Sequence, residues 1–264
     1  NNMSLLENRL KKSYMEHKQK KNTKEALINY FEGKNSFKKL GLNLLHQHYT
    51  WQHPKFFYDG SPLEMSGSNF SKNVKIKHKL HEIWQKEKSS RKNIVKWIIK
   101  DWGGIKGNKE STLNFYNIEA NKNLPETPYR GIASFSKVLS IKDPYKYAIY
   151  DARVAVSLNA IQLIENVSEG SAFPYLSGRN NITGNDQKKI GFSNQKETEI
   201  KTLTNKPYNW SKISEENVYS YYINILSEIA KELRCPLYEL EMSLFSEAEK
   251  LACIVIPSLS EYTK

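Results

Sequence analysis

Between Tyr129 and Asn159 the chain reads YRGIASFSKVLSIKDPYKYAIYDARVAVSLN, and two of its residue types carry chemistry at a useful spacing. Gly131 enters the left-handed backbone region at no steric cost, so a turn there can present bare N–H groups. The helix expected from Ile132 to Ile141 adds the positive end of its dipole, which makes Arg130, Gly131, Ile132, Ala133 and Ser134 a candidate grip for a phosphate. Twenty residues after Gly131 stands Asp151, at the start of a second apolar helix, where one carboxylate is held at a set distance from that grip. Asp is also among the best helix N-caps, and the two roles are compatible. Arg153 sets a permanent cation two residues from the carboxylate, and Lys137 offers an amine within the first helix.

Other candidate chemistry is thinner. His46, His48 and His53 have a spacing that can ligate metal, but they sit among aromatics without a carboxylate or thiolate partner, so no metal site is expected. Cys235 and Cys253 are the only cysteines, which excludes a four-thiolate zinc site or a cysteine-ligated iron–sulfur cluster within one chain.

The elements that must hold these residues read as mainly helical, with few windows alternating as strands do. Apolar residues from Met3 to Glu32 recur at roughly helical spacing in a Lys-rich background and suggest two helices. Asp59 to Asn73, with Gly60, Pro62, Gly67 and several serines, reads as a loop after an aromatic cluster at Tyr49, Trp51, Phe56, Phe57 and Tyr58. Val74 to Glu87 places Ile76, Leu80, Ile83 and Trp84 on one face, with Lys75, Lys77, Lys79 and Lys86 assigned to a solvated face. Arg91 to Trp102 is a second amphipathic helix, stopped by Gly103 and Gly104. Ser168 to Lys206 is rich in Gly, Asn, Ser and Lys and reads as a long polar loop. Ser214 is the expected cap of a helix from Glu215 to Arg234, and Pro236 opens another from Leu237 to Leu251. The organisation expected is an N-terminal helical region, residues 1–110, packed on a core of residues 111–264.

Composition limits the function classes. Forty Lys and Arg against 28 Asp and Glu leave a net charge of +12, which favours nucleic acid or another anionic surface over an acidic partner. With 39% hydrophobic residues and 16 Tyr, 10 Phe and 5 Trp, the chain is a folded domain rather than a disordered tail. No run of 18 apolar residues occurs, and the N-terminus lacks the apolar stretch of a signal peptide, so a soluble cytoplasmic protein without membrane contact is expected.

The glycine turn, short apolar helix, loop with Asp143 and Pro144, and the run Ala148-Ile149-Tyr150-Asp151-Ala152-Arg153-Val154 resemble the helix-hairpin-helix DNA glycosylases, especially bacterial proteins of the 8-oxoguanine DNA glycosylase fold. The resemblance is strong from Tyr129 to Asn159 and extends to the flanks only as an all-α pattern. The family's Gly-x-Gly hairpin is Gly131-Ile132-Ala133 here. The lysine that strand-cleaving members carry just after the hairpin is replaced by Ala133 and Ser134, and the family's tendency to Asp-x-His becomes Asp151-Ala152-Arg153.

The resemblance implies an all-α helix-hairpin-helix fold and a DNA glycosylase, monofunctional unless Lys137 forms a Schiff base. Asp151 is then the catalytic carboxylate, beside sugar C1′, with Gly131 to Ser134, Arg130 and Arg153 on the DNA backbone. An aromatic-lined pocket for an everted base is also implied, with Glu241, Met242 and Phe245 on the last helix as candidates and Trp51, Trp210 and Tyr175 as further aromatics. The expected partner is double-stranded DNA, handled by a nucleoid-associated monomer with no cofactor. Relatives of this kind include proteins directed against phage DNA with modified cytosines, which extends the expected substrates to such bases. A non-catalytic helix-hairpin-helix module that binds DNA and uses Asp151 only as a cap is the alternative.

Overall fold

A computed structural model of the chain describes residues 2–58, 61–184 and 190–263. Ten α-helices dominate the described residues: α1 (Asn2–Phe31), α2 (Leu45–His48), α3 (Asn69–Lys86), α4 (Arg91–Trp97), α5 (Glu110–Ala120), α6 (Ile132–Lys142), α7 (Ala152–Ile164), α8 (Ile200–Thr204), α9 (Val218–Leu233) and α10 (Leu237–Val255). Strand structure among the described residues is confined to two-residue pieces, Phe57–Tyr58 paired antiparallel with Ser61–Pro62, and Ser171–Ala172 paired parallel with Ser211–Lys212. No helix among the described residues is long and apolar enough to cross a membrane.

The centre of the molecule is α7, whose residues from Ala152 to Leu163 are buried on all sides except at Arg153. A helix buried all round must be enclosed by others; α10 and α1 pack directly on it, and α9 packs on both of those. Each Val, Leu or Ile side chain buried there contributes about 1.5–3 kcal/mol. Polar groups in this core are paired. Ser157 Oγ donates to Leu244 O at 2.6 Å, tying α7 to α10. The amide of Asn159 brackets the backbone of Phe173, donating to its carbonyl at 2.8 Å and accepting from its N–H at 3.0 Å. One core cluster runs from Ala26 to Leu259, so the part of the N-terminal region from Ala26 onward shares it with the rest.

Several boundaries differ from the sequence expectation. The N-terminal segment is one helix rather than two, because Lys18 to Thr23 contains no Gly or Pro to break it. Its polar middle is also held by partners: Lys18 lies 2.5 Å from Glu169, Lys24 3.3 Å from Glu232, and Thr23 Oγ1 donates to Gln162 Oε1 at 2.9 Å. The stretch expected to be a loop as far as Asn73 turns helical at Asn69, since Ser68 is an N-cap whose Oγ accepts from Ser71 N–H at 3.2 Å. Asp59 and Gly60 of that expected loop lie outside the described residues. Ser214 does not cap α9. The chain first makes a turn closed by Asn217 N–H to Ser214 O at 3.0 Å, and the helix starts at Val218. Ser168 to Lys206 is no loose excursion, because Ala172, Phe173, Ile182, Phe192 and Leu203 all enter the core; residues 185–189 of it are outside the described set.

The expected helix Arg91 to Trp102 divides into α4 and a π-helical turn, Ile98–Trp102, closed by Gly103 N–H to Ile98 O at 2.8 Å. Such turns are frequent at functional sites because they rotate the side chains that follow out of helical register. Here the turn brings Trp102 to the wall of the cleft described next.

Candidate active site

Asp151 is positioned by the irregular segment that precedes it. Tyr219 and Tyr222 of α9 donate their hydroxyls to the carbonyls of Ala148 at 3.0 Å and Ile149 at 2.8 Å, and Tyr150 N–H donates to Ser136 Oγ of α6 at 3.0 Å. Burial pushes both α9 phenols well above the usual tyrosine range, so they remain donors at any physiological pH. Three consecutive residues are thereby pinned just before Asp151. Its backbone is extended (φ −131°, ψ −174°), and Oδ1 accepts from the N–H groups of Arg153 at 3.1 Å and Val154 at 3.2 Å. The expected cap is therefore made by one oxygen. The other, Oδ2, lies 3.5 Å from Lys137 Nζ, and the two side chains retain 15% and 12% exposure respectively.

Lys137 reaches this point from α6, where its Nζ also donates to Ala133 O one turn back at 2.8 Å. The turn leading into α6 is the one the glycine was expected to make. Gly131 has φ 88° and ψ 2°, the geometry of the third residue of a type II turn, and Ile132 N–H closes it on Tyr129 O at 3.0 Å. That closure spends one of the N–H groups expected to face a phosphate. Ser134 N–H is spent on Gly131 O at 3.0 Å, and the Ile132 side chain is fully buried. Gly131 and Ala133 keep N–H groups without a hydrogen bond among the described residues. Arg130 is exposed and lies outside the cleft wall.

Substituting Gly131 tests how tightly this turn is specified. A Cβ there would stand 2.6 Å from the hydroxyl of Tyr116 and 3.7 Å from its Cζ. Gly131→Ala is expected to cost more than the roughly 1–2 kcal/mol of a left-handed alanine, measured by urea unfolding. Gly131→Ala/Tyr116→Phe should recover the excess, because it removes the overlapping oxygen and leaves only the backbone strain.

Asp151 and Lys137 open onto a cleft of about 860 Å³, a size typical of small-molecule sites, at roughly 300–1,000 Å³. One wall is Gly131 to Ser134; the others include Trp102, Trp51, Tyr49, Phe245, Glu241 and the Ser177 to Asn180 loop. Trp51 meets Phe245 edge-to-face with centroids 5.6 Å apart. Glu241, in the floor, is almost fully buried, and its Oε2 accepts from Lys77 Nζ of α3 at 2.8 Å. Burial raises the Glu241 carboxyl above its ordinary value, and Lys77 pulls it back down. Arg153 lines the cleft but is committed. Its guanidinium stands 5.1 Å from the Phe245 ring centroid and 2.6 Å from Glu249, which also accepts from Asn180 Nδ2 at 2.9 Å. Arg153 thus props one wall, and its charge is balanced before any ligand arrives.

The chain matches no family model, no curated protein and no solved structure. The chemistry of the cleft therefore rests on its own geometry.

Of the residues singled out in the sequence, the fold brings Gly131 to Ser134, Lys137, Asp151, Arg153, Glu241, Phe245 and Trp51 to one cleft. Met242 is a correction. At 3.6 residues per turn it points about 100° away from Glu241, and it is sealed against Leu45, Tyr49, Phe70 and Tyr238, whereas Phe245, one turn on, returns to the cleft. Trp210 is likewise core, its Nε1 donating to Val167 O at 2.8 Å. Tyr175 is not in the cleft wall either and donates its hydroxyl to Thr198 O at 2.7 Å. The histidines are separately engaged: His46 with Ser68, His53 with Pro54 O, and His48 with Glu247. No group of three metal-ligating side chains forms among the described residues.

Among the site residues that escaped sequence reasoning are Lys77, Trp102, Tyr49 and Arg179. Lys77 had a usable signal. Phe70, Asn73, Lys77, Leu80 and Trp84 are spaced alternately three and four apart, which places Lys77 on the buried stripe of α3 rather than on its solvated face. Arg179 had none, being an exposed residue of an irregular loop that folding brings to the cleft rim.

Proposed function

We propose that this chain is a DNA glycosylase of the helix-hairpin-helix type. It hydrolyses the N-glycosidic bond of a modified or damaged base and leaves an abasic site. The observation that carries the reading is Asp151: a carboxylate with one oxygen anchored by the α7 N-terminus and the other open to an aromatic-walled cleft beside Lys137. The succession of α5, the Gly131 turn, α6 and Asp151 at the head of α7 supports the fold assignment.

The chemistry follows from where charge develops. A base inside a duplex is inaccessible, so the nucleotide must be everted, at a few kcal/mol for unstacking. Stacking on aromatic walls such as Trp51 and Phe245 returns about 1–3 kcal/mol per base. As the glycosidic bond breaks, positive charge builds on C1′ and the ring oxygen. A carboxylate about 4 Å away at an effective dielectric near 20 stabilises that charge by roughly 4 kcal/mol. The same oxygen can accept a proton from the attacking water. The free N–H groups of Gly131 and Ala133, at the positive end of α6, suit a backbone phosphate, and Arg179 at the rim adds a cation. Substrate DNA would then be nucleoid DNA or that of an invading phage. The cleft has room for a base bearing an adduct, which supports modified cytosines as candidates.

One assay tests the reading. Duplexes carrying different modified bases, phage DNAs included, are incubated with the protein and heated in alkali, and strand breaks mark abasic sites. Breaks at one class of base are expected; absence of breaks on all of them removes the enzyme reading and leaves a DNA-binding module with Asp151 as a cap. Lys137 favours a second outcome, because its amine already faces the cleft 3.5 Å from Asp151. If it forms a Schiff base with C1′, breaks appear without alkali and borohydride traps a covalent complex that Lys137→Gln cannot form.

A further inference from the structure

The floor of the cleft contains a polar group that the hydrolysis above does not use. Glu241 and Lys77 are 164 residues apart and form an ion pair at 2.8 Å, with only 3% and 1% of their side chains exposed. Lys77 has no freedom to swing away. Its Nζ stands 5.5 Å from the ring centroid of Trp102, and that ring is anchored by Nε1 donating to Asn73 Oδ1 at 2.8 Å. Asn73 is fixed in turn, donating to Trp51 O at 3.0 Å and Asn69 O at 2.8 Å. One oxygen of Glu241 is thereby assigned. The other, Oε1, makes no hydrogen bond among the described residues, and it is not sealed off, since Glu241 lines the cleft. A nearly buried acceptor facing an open cavity requires a donor from whatever enters.

We propose that Glu241 reads the everted base by accepting a hydrogen bond from an exocyclic amino group, with Lys77 as the positioning residue that turns the free oxygen toward the cleft; the substrates are therefore amino-bearing bases. The presence of a base there rests on the glycosylase reading above. A carboxylate accepts from the amino group of cytosine in protein–DNA complexes by the same chemistry. A base with an oxo group at that position would point a carbonyl oxygen at the carboxylate and leave both acceptors unpaired, which is the situation binding sites reject most strongly.

The test uses duplexes with a single 2′-fluoroarabino nucleotide, which resists hydrolysis, opposite an abasic spacer so that eversion costs the same in each. Cytosine is compared with uracil, and adenine with hypoxanthine, each pair differing by amino against oxo. The wild-type protein is expected to bind the amino member of at least one pair about tenfold or more tightly. In Glu241→Gln, Lys77 claims the amide oxygen and the NH2 group faces the cleft, so the preference should invert. In Lys77→Met/Glu241→Gln the amide is free to turn and the preference should vanish. Equal wild-type affinity within both pairs overturns the proposal, as does a Glu241→Gln protein that keeps the amino preference. The wild-type comparison needs no variant, so it decides the matter even if Glu241→Gln does not fold. A preference that appears and inverts without base excision on cleavable DNA would sink the glycosylase reading alone. Excision of amino and oxo bases at equal rates, with equal affinity, would sink this proposal alone.

Discussion

Asp151→Asn is expected to slow base excision about a thousandfold while leaving the fold and the affinity for DNA nearly unchanged. The magnitude follows from losing about 4 kcal/mol of attraction between the carboxylate and the developing positive charge on the sugar. Asparagine is the substitution that isolates this term, because it caps helices about as well as aspartate. Its side-chain oxygen can keep the hydrogen bonds from Arg153 and Val154 that Oδ1 now accepts. The contact with Lys137 is lost, but at 3.5 Å it is a long one, and Lys137 Nζ keeps its hydrogen bond to Ala133 O at 2.8 Å, so the amine is not left without a partner. Single-turnover rates on the preferred base, set beside a thermal melt and a binding isotherm, make the comparison. A variant that cleaves as fast as its parent would show that the carboxylate does no chemistry.

Lys77→Met should have the largest effect on stability, a loss of about 3–5 kcal/mol, or roughly 6–20 °C in melting temperature. Methionine fills most of the lysine's volume, so the loss reports charge rather than a cavity. It strands the Glu241 carboxylate, only 2% exposed, without its one close cation. Lys77→Met/Glu241→Gln should recover most of the deficit, since no charge then remains buried. The pH dependence has a definite sign. Burial already raises Glu241 above the ordinary value of 4.5 and Lys77 is the chief group opposing it, so the variant carboxyl rises further. A folded state that holds a proton more tightly than the unfolded one loses stability as pH increases between the two values. The deficit should therefore shrink below about pH 4.5, where both states are protonated, and grow above it. Urea titrations at several pH values read it directly, and a deficit independent of pH would mean that the stranded charge is not its cause.

These two residues also show how differently parts of the site were written in the chain. The Gly131 turn and the Asp151 cap were readable because each is decided within a few residues: φ 88° suits glycine, and a cap needs only N–H groups two and three positions on. The stripe on α10 was half readable. Glu241 and Phe245 share a face by helical period, whereas including Met242 ignored the rotation of one residue that drives it into the small cluster with Tyr49 and Phe70. Lys77 reads as a solvated residue in the sequence because lysine on an amphipathic helix is ordinarily exposed, and its place on the stripe gains meaning only once a carboxylate is known to face it.

By itself the sequence determined that the chain folds mainly as helices, that a glycine turn precedes α6, and that Asp151 opens α7. Propensity, backbone sterics and first-turn hydrogen bonds act over a few residues, and no distant part of the chain is needed to settle them. Tertiary structure alone decided that Asp151 keeps one oxygen open to a cleft, that Arg153 is spent on Glu249, and that Lys77 meets Glu241 across 164 residues. Those outcomes depend on which helix faces pack together, and packing is a property of the whole buried core around α7 rather than of any local stretch.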